Sequence, residues 1–151
     1  MNKTPFLLIV FLIIGVSSCQ KKQRTEAPKP NILIIVADDL GWNDVGLHGS
    51  DIKTYAIDKL AEEGMEFTRF YAAPVCSPTR AGLLTGLYPD RFNLRNYVYS
   101  PKHVGGVTPE TKMIPEFLKE AGYSKTAAFG KWHLGHSNLK YHPNNNGFDY
   151  F

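Results

Sequence analysis

Three short segments hold the side chains that could do chemistry. The first is Asp38-Asp39, directly after an apolar run. Adjacent carboxylates repel each other, and a hard divalent cation bound through oxygen relieves that repulsion. Asp is equally at home in turns and at helix starts. The second is Cys76-Ser77-Pro78-Thr79-Arg80. Pro78 suits the first turn of a helix, where a missing N–H costs nothing. That predicts Cys76 just before a helix N-terminus, where free N–H groups and the helix dipole favour an anion. Arg80 adds a fixed positive charge with several donors. A buried Cys beside a capped helix would show the same spacing. The third is Gly130-Lys131-Trp132-His133-Leu134-Gly135. On an extended segment Lys131 and His133 point one way and Trp132 the other. A Lys to hold an anionic oxygen and a His to move a proton make a workable pair. Two solvated residues flanking a core Trp would read alike.

Elements must bring these segments together. Residues 31–37 (Asn-Ile-Leu-Ile-Ile-Val-Ala) form a continuous apolar run rich in β-branched residues. It predicts a strand buried on both faces of a parallel sheet. Ile57–Glu63 reads as a short amphipathic helix closed by Gly64, and Met65–Tyr71 as a strand. Pro78–Leu84 and Met113–Ala121 read as helices, the latter ended by Gly122, and Ser124–Phe129 as a short strand. Alternation of strands and helices predicts an α/β fold. In such folds sites lie at the carboxyl ends of strands, which would gather the three segments on one rim of one sheet.

The rest of the composition bounds the setting. The 151 residues, 43% of them hydrophobic, suit one domain behind a leader. The formal charge of +3 divides into +4 within residues 1–29 and −1 beyond them. The basic balance therefore belongs to the N-terminal segment and gives no sign of a nucleic-acid partner. Lys3, the apolar run Pro5–Val16 and small residues before Cys19 read as an export signal, too short to span a bilayer. Val16-Ser17-Ser18-Cys19 resembles a bacterial lipobox, whose Cys becomes the acylated first residue of the mature protein. The expectation is a lipoprotein-type signal peptide over 1–18, a tether over 19–29, and an exported protein anchored by lipid on Cys19 in the periplasm or at the surface of a bacterium. Cys76 would then have no disulfide partner in an oxidising compartment.

Residues 31–41 (N-I-L-I-I-V-A-D-D-L-G), 76–86 (C-S-P-T-R-A-G-L-L-T-G) and 130–135 (G-K-W-H-L-G) resemble, in order and spacing, the formylglycine-dependent sulfatases. Gly147-Phe148-Asp149 matches the next landmark of that family, and the resemblance runs from Pro30 to Phe151. It implies an alkaline-phosphatase-like α/β fold, with a mostly parallel central sheet and helices on both faces, of which residues 30–151 are the N-terminal portion. It implies that Cys76 is oxidised to formylglycine by a formylglycine-generating or sulfatase-maturing enzyme that reads Pro78 and Arg80. The hydrated aldehyde attacks sulfur, and its second hydroxyl then expels sulfate. Arg80 would hold the hydrated aldehyde, Lys131 the sulfate or diol oxygens, and His133 would hydrogen-bond the diol. Asp38 and Asp39, together with residue 76, would ligate Ca²⁺ in preference to Mg²⁺. Further metal ligands, a second His and a second Lys are expected beyond Phe151.

The implied reaction is sulfate release from a sulfated carbohydrate. Val104-Gly105-Gly106 and residues 130–136 lean toward the N-acetylgalactosamine-6-sulfatase branch. Thr54-Tyr55-Ala56-Ile57-Asp58 departs from the family's T-P-N-[IL]-D, with Tyr55 in place of a loop proline. Two other readings share much of this pattern: a phosphate or phosphonate monoester hydrolase of the same superfamily, and a catalytically silent, lipid-anchored glycan-binding protein.

Overall fold

The computed structural model describes residues 27–151; the export signal, Cys19 and most of the tether lie outside the described residues. The chain divides into two units, Met1–Leu33 and Ile34–Phe151. In the first, the described residues 27–33 are exposed chain without regular structure. The second carries three α-helices among the described residues: α1 (Tyr55–Glu63), α2 (Cys76–Thr85) and α3 (Ile114–Glu120). None of the described helices is long and apolar enough to cross a membrane.

Each helix has a local reason to start and stop. In α1 the Asp58 carboxylate receives the Thr54 hydroxyl at 2.8 Å and the Leu47 N–H at 3.0 Å, tying the helix to the preceding loop. That loop is held from its other side by His48. The imidazole stacks on Trp42 with centroids 3.6 Å apart and meets a Glu66 carboxylate oxygen at 2.6 Å. The Glu66 hydrogen bond, and then the Trp42 carbonyl, raise the His48 pKa above its ordinary value. Helix α2 begins at Cys76, and Thr79 donates its hydroxyl back to the carbonyls of Ala73 (2.9 Å) and Val75 (3.0 Å). It ends at Gly86, whose φ of 68° closes the helix in the left-handed conformation. In α3 the Glu116 carboxylate accepts the Met113 N–H at 2.8 Å, and Pro115 sits in the first turn.

The core is small and lies between α2 and the segments that follow it. Ala81, Leu94, Tyr99, Val107, Met113 and Leu134 are buried together, with Leu84, Phe92 and Trp132 packed against them. Gly106 and Gly135 pair across a single antiparallel bridge. A Cβ on Gly135 would stand 2.6 Å from the Gly106 Cα, and its φ is 122°. Only glycine allows residues 130–135 to lie this close to residues 105–107.

The helices match the sequence reading to within two residues at each end. The strands do not. Residues 31–37 and 65–71 form no ladder, and Thr68-Arg69 is a turn. At 124–129 the pairing reduces to one parallel bridge between Ala127 and Tyr150. The expected parallel sheet, and a rim made from it, is therefore not formed among the described residues. A strand exists only through the partner that accepts its backbone hydrogen bonds, and none of the described residues supplies one for residues 31–37.

Candidate active site

Cys76 occupies the first position of α2, one residue further into the helix than its sequence suggests. Pro78 has no N–H, and the first i to i−4 bond of the helix is Thr79 N–H to the Val75 carbonyl. The preceding N–H groups of Cys76 and Ser77 stand at the positive end of the helix dipole.

The loop 130–135 delivers its side chains onto this terminus. The His133 Nδ1 lies 3.1 Å from the Cys76 Sγ. The geometry that achieves this is a left-handed His133, φ 58°, rather than the alternation of a strand. A β-branched or bulky residue would resist that conformation. Trp132 turns to the core and donates its indole N–H to the Tyr141 carbonyl at 2.8 Å. Ser77, to which the sequence alone assigns no role, fixes the register. It is fully buried, donates to the His133 carbonyl at 2.7 Å and accepts the Tyr99 N–H at 3.2 Å. The only signal for it in the sequence is a small hydroxyl between Cys76 and the helix-starting Pro78.

The charged groups close around Asp38. Its carboxylate receives Lys131 Nζ at 2.6 Å and an Arg80 guanidinium nitrogen at 3.4 Å. Arg80 also donates to the Lys131 carbonyl at 2.6 Å, which ties α2 to the loop. Its Nε is buried with no partner among the described residues, a donor left uncommitted beside the cluster. The Lys131 hydrogen bond is the main cause that holds the Asp38 carboxyl below its usual range, and the Asp38 hydrogen bond raises Lys131 in turn. His133 is pushed below its ordinary value, first by burial and then by the positive charges of Lys131 and Arg80, which favours the neutral imidazole.

Five of the six residues singled out in the sequence are thus in one cluster: Cys76, Arg80, Lys131, His133 and Asp38. Asp39 is next in the chain, with a left-handed φ of 59°. Two hard carboxylates side by side, one turned to the cluster, fit a Ca²⁺ ion in kind. They would be part of a shell of about six to eight oxygens. Among the described residues no group of three or more His, Cys, Asp and Glu is placed to hold one ion. Chemically, the cluster offers a polarisable nucleophile position, a neutral proton carrier against it, and two fixed cations for anionic oxygens.

Comparison with known proteins points to one family. The family model described as Sulfatase matches residues 30–151. Arylsulfatase G of Mus musculus is 49% identical over 133 residues, covering 85% of this chain and 24% of that protein. N-acetylgalactosamine-6-sulfatase of Canis lupus familiaris is 42% identical over 153 residues, covering 95% of this chain and 28% of that protein. The crystal structure of Ps i-CgsB in complex with k-i-k-neocarrahexaose superposes with a TM-score of 0.72 at 44% identity, covering 81% of this chain and 27% of that one. The chain spans about a quarter of the length of the curated relatives it matches.

Proposed function

The chain belongs to the sulfatase family, and from that premise we propose that it supplies one part of the active site of a sulfuric ester hydrolase acting on a sulfated carbohydrate. The observation that carries the proposal is the 3.1 Å approach of His133 to Cys76 at the start of α2, with Lys131 and Arg80 gathered on Asp38 beside it. Such a site attacks an ester whose oxygens carry negative charge. The matching structure with a bound oligosaccharide supports a sugar substrate. The architecture we assign to the whole protein is the alkaline-phosphatase-like α/β fold, with a mostly parallel sheet that pairs residues 31–37.

Cys76 is the residue matured to formylglycine. Its CH₂–SH and one water become CHO and H₂S, with two electrons and two protons passing to an acceptor supplied by the maturing enzyme. Pro78 and Arg80 complete the pattern that enzyme reads. Lys131 binds a sulfate oxygen, and releases part of its hold on Asp38 to do so. Arg80 steadies the oxygens on residue 76, with its free Nε as the spare donor. His133, neutral and in contact with residue 76, moves the proton there. Asp38 and Asp39 would hold Ca²⁺, which supplies Lewis-acid polarisation of the sulfate oxygens when bound.

The test uses the full-length protein produced with a maturing enzyme. Peptide mass analysis should find an aldehyde at residue 76 that reacts with a hydrazide, and free sulfate should be released from sulfated saccharides. Cys76→Ala should abolish release while the melting temperature stays. Active protein carrying an unmodified thiol would end this mechanism, and preferential hydrolysis of phosphate esters would reassign the reaction. Export with acylation at Cys19 is part of the same proposal. Globomycin should cause precursor to accumulate; a Cys19→Ala variant processed normally to a soluble protein would refute the anchor.

A further inference from the structure

The loop that precedes α1 carries a histidine with an acceptor at each ring nitrogen. The His48 Nδ1 lies 2.7 Å from the Trp42 carbonyl oxygen, and its Nε2 lies 2.6 Å from a Glu66 carboxylate oxygen. A peptide carbonyl and an ionised carboxylate only accept hydrogen bonds, whereas a neutral imidazole has one N–H to give. Both bonds form together only when the ring carries two N–H groups and a positive charge. An imidazole is a stronger base than a carboxylate, so the proton between the two side chains rests on the ring.

The third neighbour of the ring favours the same state. The Trp42 indole lies flat against the imidazole, with the planes 9° apart, and an indole face attracts a cation. The charged groups that act on His48 are Glu66, in the segment after α1, and Asp58 on α1, and both are acidic. The Glu66 hydrogen bond is the main cause that lifts the His48 pKa; the Trp42 carbonyl adds to it and burial opposes it. On the α1 side the loop is fastened separately. The Gly46 N–H donates to the Thr54 hydroxyl at 2.7 Å and the Leu47 N–H to the Asp58 carboxylate at 3.0 Å.

We infer that His48 is a proton-gated clasp, whose imidazolium form ties the loop 42–48 to Glu66 and whose neutral form lets that side of the loop go. With one N–H left, the ring keeps the Trp42 carbonyl only by turning a lone pair onto the Glu66 carboxylate, and two acceptors repel. The folded pKa lies above the ordinary 6.5. The tie is therefore complete below that ordinary value and is lost as pH rises through the raised one. The bonds to Thr54 and Asp58 do not use the imidazole, so the loosening is local opening of the loop and not global unfolding. The clasp stands whether or not the protein releases sulfate.

The experiment is hydrogen exchange of the full-length protein, read by mass spectrometry on peptides covering residues 41–50. It runs from about pH 5.5 to about pH 9, which brackets the imidazole range, and each rate is divided by the intrinsic rate at that pH. Wild-type protection should fall by about fivefold across the range, the scale of a partly exposed ion pair. His48→Phe keeps a ring on Trp42 but gives no proton, so its protection should be low and flat. Glu66→Gln offers a carboxamide that donates to a neutral ring and accepts from a charged one, so its protection should be high and flat. A wild type without the step, or a step of the same size in either variant, would overturn the clasp. Should His48→Phe fail to fold, wild type and Glu66→Gln decide the matter between them.

Discussion

The corner around Cys76 and the apolar run 31–37 are equally rich in sequence signal, yet the structure treats them oppositely. At the corner, Ser77 and Leu134 are fully buried, and five side-chain hydrogen bonds or contacts tie α2, Asp38 and the loop 131–133 together. Along the run, Leu33 is 82% exposed and Ile35 79%, while Ile32, Ile34 and Val36 are 41–52% exposed. The exposure alternates with the period of two of an extended chain, but no ladder forms. A corner built from a helix start and a glycine-hinged loop satisfies most of its polar groups from within, Arg80 Nε excepted. A strand has no internal hydrogen bonds and waits on residues distant in sequence.

The sharpest way to break this contrast is to remove a charge from the corner. Lys131→Ala should lower sulfate release by at least about a hundredfold, the usual scale for a charge-stabilising donor. It should leave the melting temperature nearly unchanged, because Lys131 is exposed. Near-normal kinetics would make the corner a structural clasp and nothing more.

A second test sets the two regions directly against each other. Leu134→Ala removes a side chain with no exposed surface and should cost about 2–5 kcal/mol. Ile35→Ala in the same chain should change stability by no more than about 0.5 kcal/mol. Denaturant titration of this chain measures both. Equal costs would mean that residues 31–37 are buried after all. In the full-length protein the Ile35 cost should rise toward that of Leu134, if downstream residues complete the sheet we propose.

The smallest expected effect tests the landmark Gly147-Phe148-Asp149. The Lys119 ammonium at 2.7 Å, then the Thr126 N–H, hold the Asp149 carboxyl down to about 2. Because the folded value lies below the unfolded one, near about 3.9, the contribution is complete above about pH 4. It is lost as pH falls through about 2. The pair is exposed, so solvent screens it and the effect is modest. Melting curves between pH 5 and pH 2 should show part of the acid-induced decline disappear in Asp149→Asn. Identical slopes would remove Asp149 as a clasp on the residues around Thr126.

The residues of the cluster are legible in the sequence alone. Cys76, Arg80, Lys131, His133 and Asp38 could be named because their types carry chemistry and their neighbours, Pro78 and the flanking glycines, mark a helix start and a tight loop. The helices were legible for a related reason: caps, periodicity and closing glycines are local. Other features were not. Ser77 as the bridge between His133 and Tyr99 depends on two residues 56 and 22 positions away. The clasp of His48 on Glu66 spans 18 positions.

The amino-acid sequence by itself determined which side chains with a capacity for chemistry are present and, to within two residues, where helices α1, α2 and α3 begin and end, since both rest on side-chain chemistry and interactions within about four residues. The tertiary structure alone decided that His133 reaches Cys76 through a left-handed backbone and not through a strand, and that Asp38 is the anion shared by Lys131 and Arg80. It also decided that residues 31–37 stand unpaired. Contacts between distant segments are fixed by which surfaces fit and which backbone groups find partners, and no single segment contains that information.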